Sequence, residues 1–348
     1  YSVARWAEDW SFLRNATKHD DPFDVLKYVP ITGNGQVWVS FSGETRVRNW
    51  FENRPLMGSA HVTDSGRFAV RNLYGADVHV GTHVRLYGEL VNADAGGWAA
   101  YGYGSTYRKH LDAQQAFVEV KGQVAGAKAG FLFGRQAFLD MPSYVLYYRM
   151  SSSGTRLYGV ATTWAPPDFT FAGQTGYSFL DLFYLGTKVD GALSAVSTPA
   201  FTVQSGSATR NNFGGRWHGI AGPIEFSTGG IWQGGSFRAT GPNSPARPID
   251  AWSVNATVGY RIPRDRFHSF IAMQADVFSG GDARRNTIGT YVQPFNPQLP
   301  YVDSSLTVSE SNMIDIGPEL RMTFYRSLSV QARYPVYWRY SAQAPVSR

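Results

Sequence analysis

The stretch Leu328–Tyr340 reads LSVQARYPVYWRY, and it decides the fold class. A period of two predicts a β-strand whose two faces meet different surroundings. The strand would be longer than the roughly 5–6 residues common in globular proteins, and it suits a membrane strand, which needs about 9–11 residues. The apolar set is Leu328, Val330, Ala332, Tyr334, Val336, Trp338 and Tyr340, and it opposes Gln331, Arg333, Tyr337 and Arg339.

The same alternation recurs from about Gln36 onward. In its first occurrence Glu44, Arg46 and Arg48 share one face, while the other face carries nothing ionised. Water on one side and lipid on the other would account for this pattern. Later stretches repeat it and place the following charged side chains on the polar face: Arg71, Asp77, Arg85, Glu89, Glu119, Asp276, Asp315, Glu319 and Arg321.

Composition points the same way. The chain of 348 residues is 15% aromatic but only 17% charged, which is low for a soluble enzyme. It has no run of about 18 apolar residues, which excludes a helical membrane span. We therefore predict an all-β chain, a transmembrane antiparallel β-barrel of the bacterial outer membrane with about 16–18 strands.

Two domains are expected. Residues 1–35 lack the alternation and are interpreted as an N-terminal plug or periplasmic strap, and residues 36–348 as the barrel. The stretch 144–213 gives the weakest strand pattern. After the last alternating stretch the chain is polar and contains proline, so we expect the closing strands to be absent from this sequence.

Connections of unequal length support the barrel. Gly81-Thr82 is a tight turn, whereas Ala93–Leu111 and Gly280–Met313 are long connections. Bacterial barrels combine short periplasmic turns with long external loops.

Seven short motifs, in order along the chain, resemble the alginate export porin family. They are the opening block (Asp9-Trp10-Ser11, Leu13-Arg14, Asp21-Pro22, Asp24, Lys27-Tyr28, Pro30), then Gly43–Arg48, Ala76–Gly81, Gln115–Val120, Gly134–Gln136, Phe295–Pro297 and Tyr337–Ser341. The resemblance implies about eighteen antiparallel strands, a basic constriction that admits a uronate polymer, and no catalysis. Ser151–Ser153 stand where the family has an Asp before Gly154, and no further strands follow the last one.

Arginines are the candidate functional residues. The predicted pore-lining set is Arg46, Arg48, Arg71, Arg85, Arg135, Arg333 and Arg339, with the carboxylates Glu44, Asp77 and Glu119. Rings of arginine are a means by which pores select anions. For Arg135, strict alternation predicts the apolar face, so a bulge at Gly134 would be needed to turn it inward.

Each arginine has two interpretations. It can pair with a carboxylate across the strands and stiffen the wall. Alternatively, a subset stands unpaired at a constriction and binds a carboxylate of the solute in bidentate geometry. Because the two signs are equally numerous in the polar set, anion selectivity would depend on a few unpaired arginines.

Other site types find little support. The absence of cysteine removes thiol catalysis and zinc–thiolate sites, and neither a nucleophile elbow nor a zinc-protease motif occurs. His79 beside Asp77 is interpreted as a hydrogen-bonded pair, and Gly280-Gly281-Asp282 as an ordinary turn. We predict no catalytic residue, no metal, no cofactor and no nucleic-acid partner, since basic residues form no runs.

The function predicted first is an outer-membrane porin that passes an anionic exopolysaccharide. An uptake porin for small acidic solutes is the alternative within transport, and a non-conducting surface β-protein that binds glycans is the alternative outside it. The net charge of +6 suits an anionic partner. Further expected partners are outer-membrane lipid, lipopolysaccharide and a periplasmic scaffold of a secretion complex. Interfacial aromatic girdles are expected from Trp50, Trp217, Trp232, Trp252, Trp338 and Tyr340.

Overall fold

Strands dominate the chain. The computed structural model describes residues 5–15, 21–54, 63–98, 108–135, 157–166, 169–197, 203–241, 243–282, 284–293, 311–325 and 328–343. These residues contain two 3-10 turns, one turn of α-helix and sixteen strands, so the predicted all-β class is confirmed. Within this described part, no helix has both the length and the apolar character needed to cross a membrane.

The element bounds follow the alternation. The 3-10 turns are Arg5–Ala7 and Ser11–Arg14, and α1 is Asp24–Lys27. The strands are β1 (Val29–Pro30), β2 (Val37–Asn53), β3 (Asp64–Val80), β4 (Val84–Trp98), β5 (Lys109–Val124), β6 (Ala127–Arg135), β7 (Leu157–Ala165), β8 (Phe169–Phe171), β9 (Gln174–Ser197), β10 (Val203–Ala221), β11 (Ile224–Ala239), β12 (Ala246–Arg261), β13 (Phe270–Phe278), β14 (Met313–Tyr325), β15 (Leu328–Arg333) and β16 (Val336–Arg339).

Two compact units divide the chain. The first holds residues 1–121, 132–139 and 149–155, and the second holds the remainder. Within the first unit, β1 to β5 pair in sequence order and antiparallel. Within the second, the antiparallel order is β7-β9-β10-β11-β12-β13-β14-β15, with β8 on β9 and β16 on β14. Such up-and-down pairing is the order of outer-membrane sheets.

The two faces of each unit differ in an unusual way. In the first unit Tyr74 is 55% exposed, whereas Glu89 on the opposite face is 1% exposed. In the second unit Met273 is 51% exposed, whereas Asp276, on the opposite face of β13, is fully buried. Soluble domains show the reverse distribution. Apolar side chains along one face and enclosed polar side chains on the other suit a sheet that stands in lipid.

The stretch Leu328–Tyr340 forms two strands in one register. Arg333 lies opposite Glu319, and Val336 opposite Ile316. The ladder is interrupted between them because Pro318 of β14 has no N–H to return to its partner Tyr334, whose own N–H donates to the Pro318 carbonyl at 3.1 Å. The predicted single strand is therefore present, with one gap.

The connections agree in part with expectation. The tight turn at Gly81 is confirmed, and its φ of +62° is one that glycine adopts without strain. The long connection between β13 and β14 is also present. The connection predicted over Ala93–Leu111 is wrong in its bounds, because β4 continues to Trp98 and β5 begins at Lys109.

Candidate functional site

The first charged face is the face of β2–β5 that bears Glu44, Arg71, Asp77, Arg85, Glu89 and Glu119. Register alone assembles it, since His79, Arg85 and Glu119 lie opposite one another on three adjacent strands. The Nε of Arg85 donates to Asp77 at 2.8 Å, and its Nη1 donates to Glu119 at 3.1 Å. Arg71 donates to Glu44 at 2.5 Å. The face is thus a network of ion pairs.

The N-terminal residues pack on this face. Arg5 donates to Glu44 at 2.7 Å and to Glu89 at 3.1 Å. Arg85 in turn donates to the backbone carbonyl of Trp6. Burial of Arg5 acts to lower its pKa, but the charges of Glu89 and Glu44 outweigh this and raise the pKa of Arg5, so the guanidinium stays charged.

Glu89 depends on the N-terminal residues for its charge balance. Its carboxylate accepts from the hydroxyl of Tyr87 at 3.0 Å and from the amide of Gln115 at 3.2 Å. Among the described residues its only ion pair is the one with Arg5. The sequence pattern identified Glu89 but gave no signal for Arg5, which lies outside the alternation.

Aromatic contacts continue the packing. The rings of Trp38 and His79 stack at 3.9 Å between centroids, and Tyr28 lies 5.0 Å from Trp38. His79 Nε2 lies 3.3 Å from Asp77. His79 and Asp77 therefore belong to a structural cluster, in agreement with their interpretation as a pair.

Arg46 and Arg48 of the predicted set differ from Arg71 and Arg85. Both are exposed, and neither forms an ion pair within the described ranges. The guanidinium of Arg48 lies 5.5 Å from the ring centroid of Trp50, which also has Arg67 at 5.4 Å. Trp50 shares the parity of Arg46 and Arg48, so its expected place in a lipid-facing girdle is wrong. That parity was visible in the sequence.

Arg135 follows a backbone irregularity at Gly134. The φ of Gly134 is +134°, and a Cβ there would lie 2.4 Å from the carbonyl oxygen of Ala116. Arg135 Nη1 lies 4.0 Å from Asp112, which is opposite the buried Val91. The bulge that would turn Arg135 inward stays a prediction.

The second polar face is the face of β10–β15 that bears Arg210, Asn212, Gln233, Asp276, Asp315 and Arg333. Asp276 and Asp315 lie opposite each other and are both fully buried. Arg333 pairs closely with Asp315 and lies 3.7 Å from Asp276. Arg339 lies opposite Met313, is exposed, and forms no ion pair in the described part of the chain. Of this predicted pair, Arg333 therefore belongs to the network and Arg339 does not.

Arg210 was not among the predicted site residues. It is 7% exposed, and its Nη1 donates to Gln233 at 3.0 Å. No carboxylate pairs with it anywhere in the described ranges. No clear signal marks it in the sequence, because Thr209, Asn211 and Asn212 beside it are also polar and the stretch lies where the strand pattern is weakest.

A covering segment, residues 284–293, lies over Gln233. The Gln233 amide donates to the Val292 carbonyl at 2.6 Å, and the Val292 N–H donates back to Gln233 at 3.1 Å. Ile288 forms a parallel bridge to Ile249, and Tyr291 is fully buried. A side-chain amide thus bonds a loop to the sheet as a backbone strand would.

The aromatic girdle is supported where apolar parity holds. Trp217 packs against Phe226 at 4.7 Å beside the short turns of the second unit, and Trp252 packs against Tyr340 at 5.7 Å. Among the described side chains, no group of three or more His, Asp or Glu is placed to hold a metal ion. Asp282 accepts from the backbone of Arg284 at 2.9 Å, as a turn residue does.

These features define the class of protein to which the chain belongs. Long up-and-down strands with an exposed apolar face and a buried ionic face are those of an outer-membrane sheet that encloses a polar interior. The chain belongs to the alginate export family, which matches residues 150–346. The predicted family is confirmed, and the chain is a transport protein of the bacterial outer membrane.

Three solved structures are similar over most of their length. Pseudomonas putida OprB at high pH has 12% identity and a TM-score of 0.33, with 86% of this chain and 88% of that chain covered. The outer-membrane protein OmpT of Vibrio cholerae has 12% identity and a TM-score of 0.31, with 86% and 88% covered. Salmonella typhi OmpF in complex with daunomycin has 10% identity and a TM-score of 0.30, with 87% and 91% covered. No curated protein matches the sequence.

Proposed function

We propose that this protein passes an anionic exopolysaccharide of the uronate type across the outer membrane through an arginine-lined pore. The family supports the export of such a polymer. The polar faces would line the pore, the apolar faces would contact lipid and lipopolysaccharide, and a periplasmic scaffold would deliver the polymer.

Arg210 is the observation that carries the proposal. A buried guanidinium without a counter-charge is costly, and the amide of Gln233 accepts one of its hydrogen bonds without neutralising it. A passing carboxylate would supply the missing charge. Because a carboxylate accepts two parallel N–H bonds from a guanidinium, each sugar would be held in a defined orientation.

Transport also requires weak, repeated binding. Arg46, Arg48 and Arg339 are exposed and free of ion pairs in the described ranges, so they would offer further sites of low affinity. Arg71, Arg85 and Arg333 are occupied by carboxylates and would stiffen the wall. A polymer with one carboxylate per sugar could move from one free arginine to the next.

Reversal potentials in planar bilayers under a KCl gradient test this proposal. The wild-type channel should prefer anions, and polymannuronate oligomers should block it. Arg210→Gln should reduce the anion preference and weaken the block by about tenfold or more, since charged hydrogen bonds contribute about 1.5–3 kcal/mol. The control is Arg238→Gln, which removes an exposed arginine of β11 on the opposite face.

Several outcomes would contradict the proposal. A cation-selective wild-type channel, or an oligomer block that Arg210→Gln leaves unchanged, would exclude an anion path past Arg210. Block by single uronate residues but not by oligomers would favour uptake of small acidic solutes. A folded protein that never conducts would favour a glycan-binding surface protein.

A further inference from the structure

One carboxylate of the first charged face has no ion pair with a cation of the face's own strands among the described residues. Glu44 has Arg71, while Asp77 and Glu119 share Arg85. Lys121 adds an exposed contact of 3.4 Å to Glu119. Among the described residues, Glu89 is the carboxylate that has no ion pair with a cation from these strands.

Glu89 is also the least accessible carboxylate of this face. Its side chain is fully buried. Removal of the cation from such a pair leaves an uncompensated buried charge, which is strongly destabilising. The strands therefore encode a position that needs a cation from elsewhere in the chain, and Arg5 supplies it while also contacting Glu44.

The segment that brings Arg5 is fixed to the sheet at its two ends. Near its start, Trp6 is buried and its carbonyl accepts from Arg85, and Leu13 is 2% exposed. At its end, β1 pairs with β2 over two residues only, Val29 with Val39 and Pro30 with Trp38. Arg5 ion-pairs the start to the strands, whereas backbone pairing holds the end.

We propose that residues 5–15 and 21–30 belong to an intrinsic plug, and that Arg5 is the latch which seats its start between Glu44 and Glu89. With the latch closed, Arg5 compensates the charges of the two carboxylates, so they do not repel a passing polyanion. The segment then covers the face. With the latch open, the start of the segment leaves and Glu89 becomes an uncompensated negative charge. The plug does not require the anion selectivity proposed above.

Thiol labelling tests the latch directly, because the chain has no native cysteine. Phe12 and Leu13 are neighbours, 45% and 2% exposed. A maleimide should label Phe12→Cys quickly and Leu13→Cys slowly in the folded full-length chain. Adding Arg5→Ala should raise the Leu13→Cys rate by about tenfold or more, the shift expected when charged hydrogen bonds are lost, and should leave the Phe12→Cys rate unchanged.

A matched control lies in the same segment. Arg14 donates to the carbonyl of Asn34 at 2.8 Å and has no ion pair to the charged face within the described residues. Arg14→Ala should change neither labelling rate. Arg5→Lys, which keeps the charge but lacks the fork that spans two carboxylates, should give an intermediate Leu13→Cys rate.

Conductance gives a second readout that leaves Leu13 unaltered. Single channels of Arg5→Ala should conduct more than wild type and more than Arg14→Ala, and their anion preference should fall because Glu89 is then unpaired. Equal Leu13→Cys labelling with and without Arg5 would overturn the latch, as would unchanged conductance in Arg5→Ala. Failure of the pore proposal would show differently, as a wild-type channel that does not prefer anions while the labelling shift persists.

Discussion

The first charged face and the surroundings of Arg210 bury the same kind of group in opposite ways. On the first charged face Arg5 and Arg85 each contact two carboxylates, so their charges are compensated. Arg210 contacts the amide of Gln233, so its hydrogen bond is satisfied but its charge is not. The comparison separates an arginine whose charge is balanced by carboxylates from one whose charge is not.

The largest expected change in unfolding free energy comes from a substitution on the first charged face. Arg85→Ala leaves Asp77 and Glu119 buried without their shared cation, so we expect a loss of about 3–5 kcal/mol in unfolding free energy. Urea unfolding in phospholipid vesicles, followed by tryptophan fluorescence, measures it. Lys121→Ala removes an exposed partner of the same Glu119 and should cost less than about 1 kcal/mol. Equal losses in the two variants would break the distinction between buried and exposed pairs.

At Arg210 we expect the change in unfolding free energy to have the opposite sign. Arg210→Met replaces a buried, uncompensated charge with an apolar side chain of similar length, so stability should stay the same or rise by up to about 2 kcal/mol. Gln233 keeps its hydrogen bonds to Val292 in this variant. The same urea titration applies. A loss as large as that of Arg85→Ala would mean that Arg210 is structural, and the comparison would fail.

The smallest effect should come from Arg48. Arg48→Ala removes an exposed cation–π contact with Trp50, so we expect a loss of about 0.5–1 kcal/mol at most. Reversal potentials should nevertheless shift toward cations, because Arg48 has no ion pair in the described ranges. Unchanged selectivity would remove Arg48 from the functional arginines.

Much of the fold was predictable because a period of two acts locally. Trp252, Val254 and Val258 are exposed on the apolar face, while Ser253 and Asn255 are buried on the other, as the alternation predicts. The end of β4 was missed because alternating small residues such as Ala93 and Ala95 look like a loop in sequence, although their burial against neighbouring strands makes them a strand.

The site was less predictable because pairing depends on contacts that are distant in sequence. The pattern placed Arg71 and Arg333 on polar faces, but it could not tell which arginines would find carboxylates. Arg5 lies 84 positions from Glu89, and no periodicity connects them. Arg210 lies in the stretch 144–213, where the strand pattern of the sequence is weakest.

The proline between β15 and β16 has a consequence for aggregation. The N–H of Tyr334 points toward β14, so the missing N–H of Pro335, the next residue, would have pointed to the opposite edge. Pairing with β14 therefore loses nothing at Pro335, while the other edge lacks one donor. A foreign strand that adds to this edge in the wrong register would lack one hydrogen-bond donor at Pro335. Proline on an edge strand disfavours edge-to-edge association for this reason. Before the sheet is complete, Pro335 would thus keep partly folded chains from templating one another.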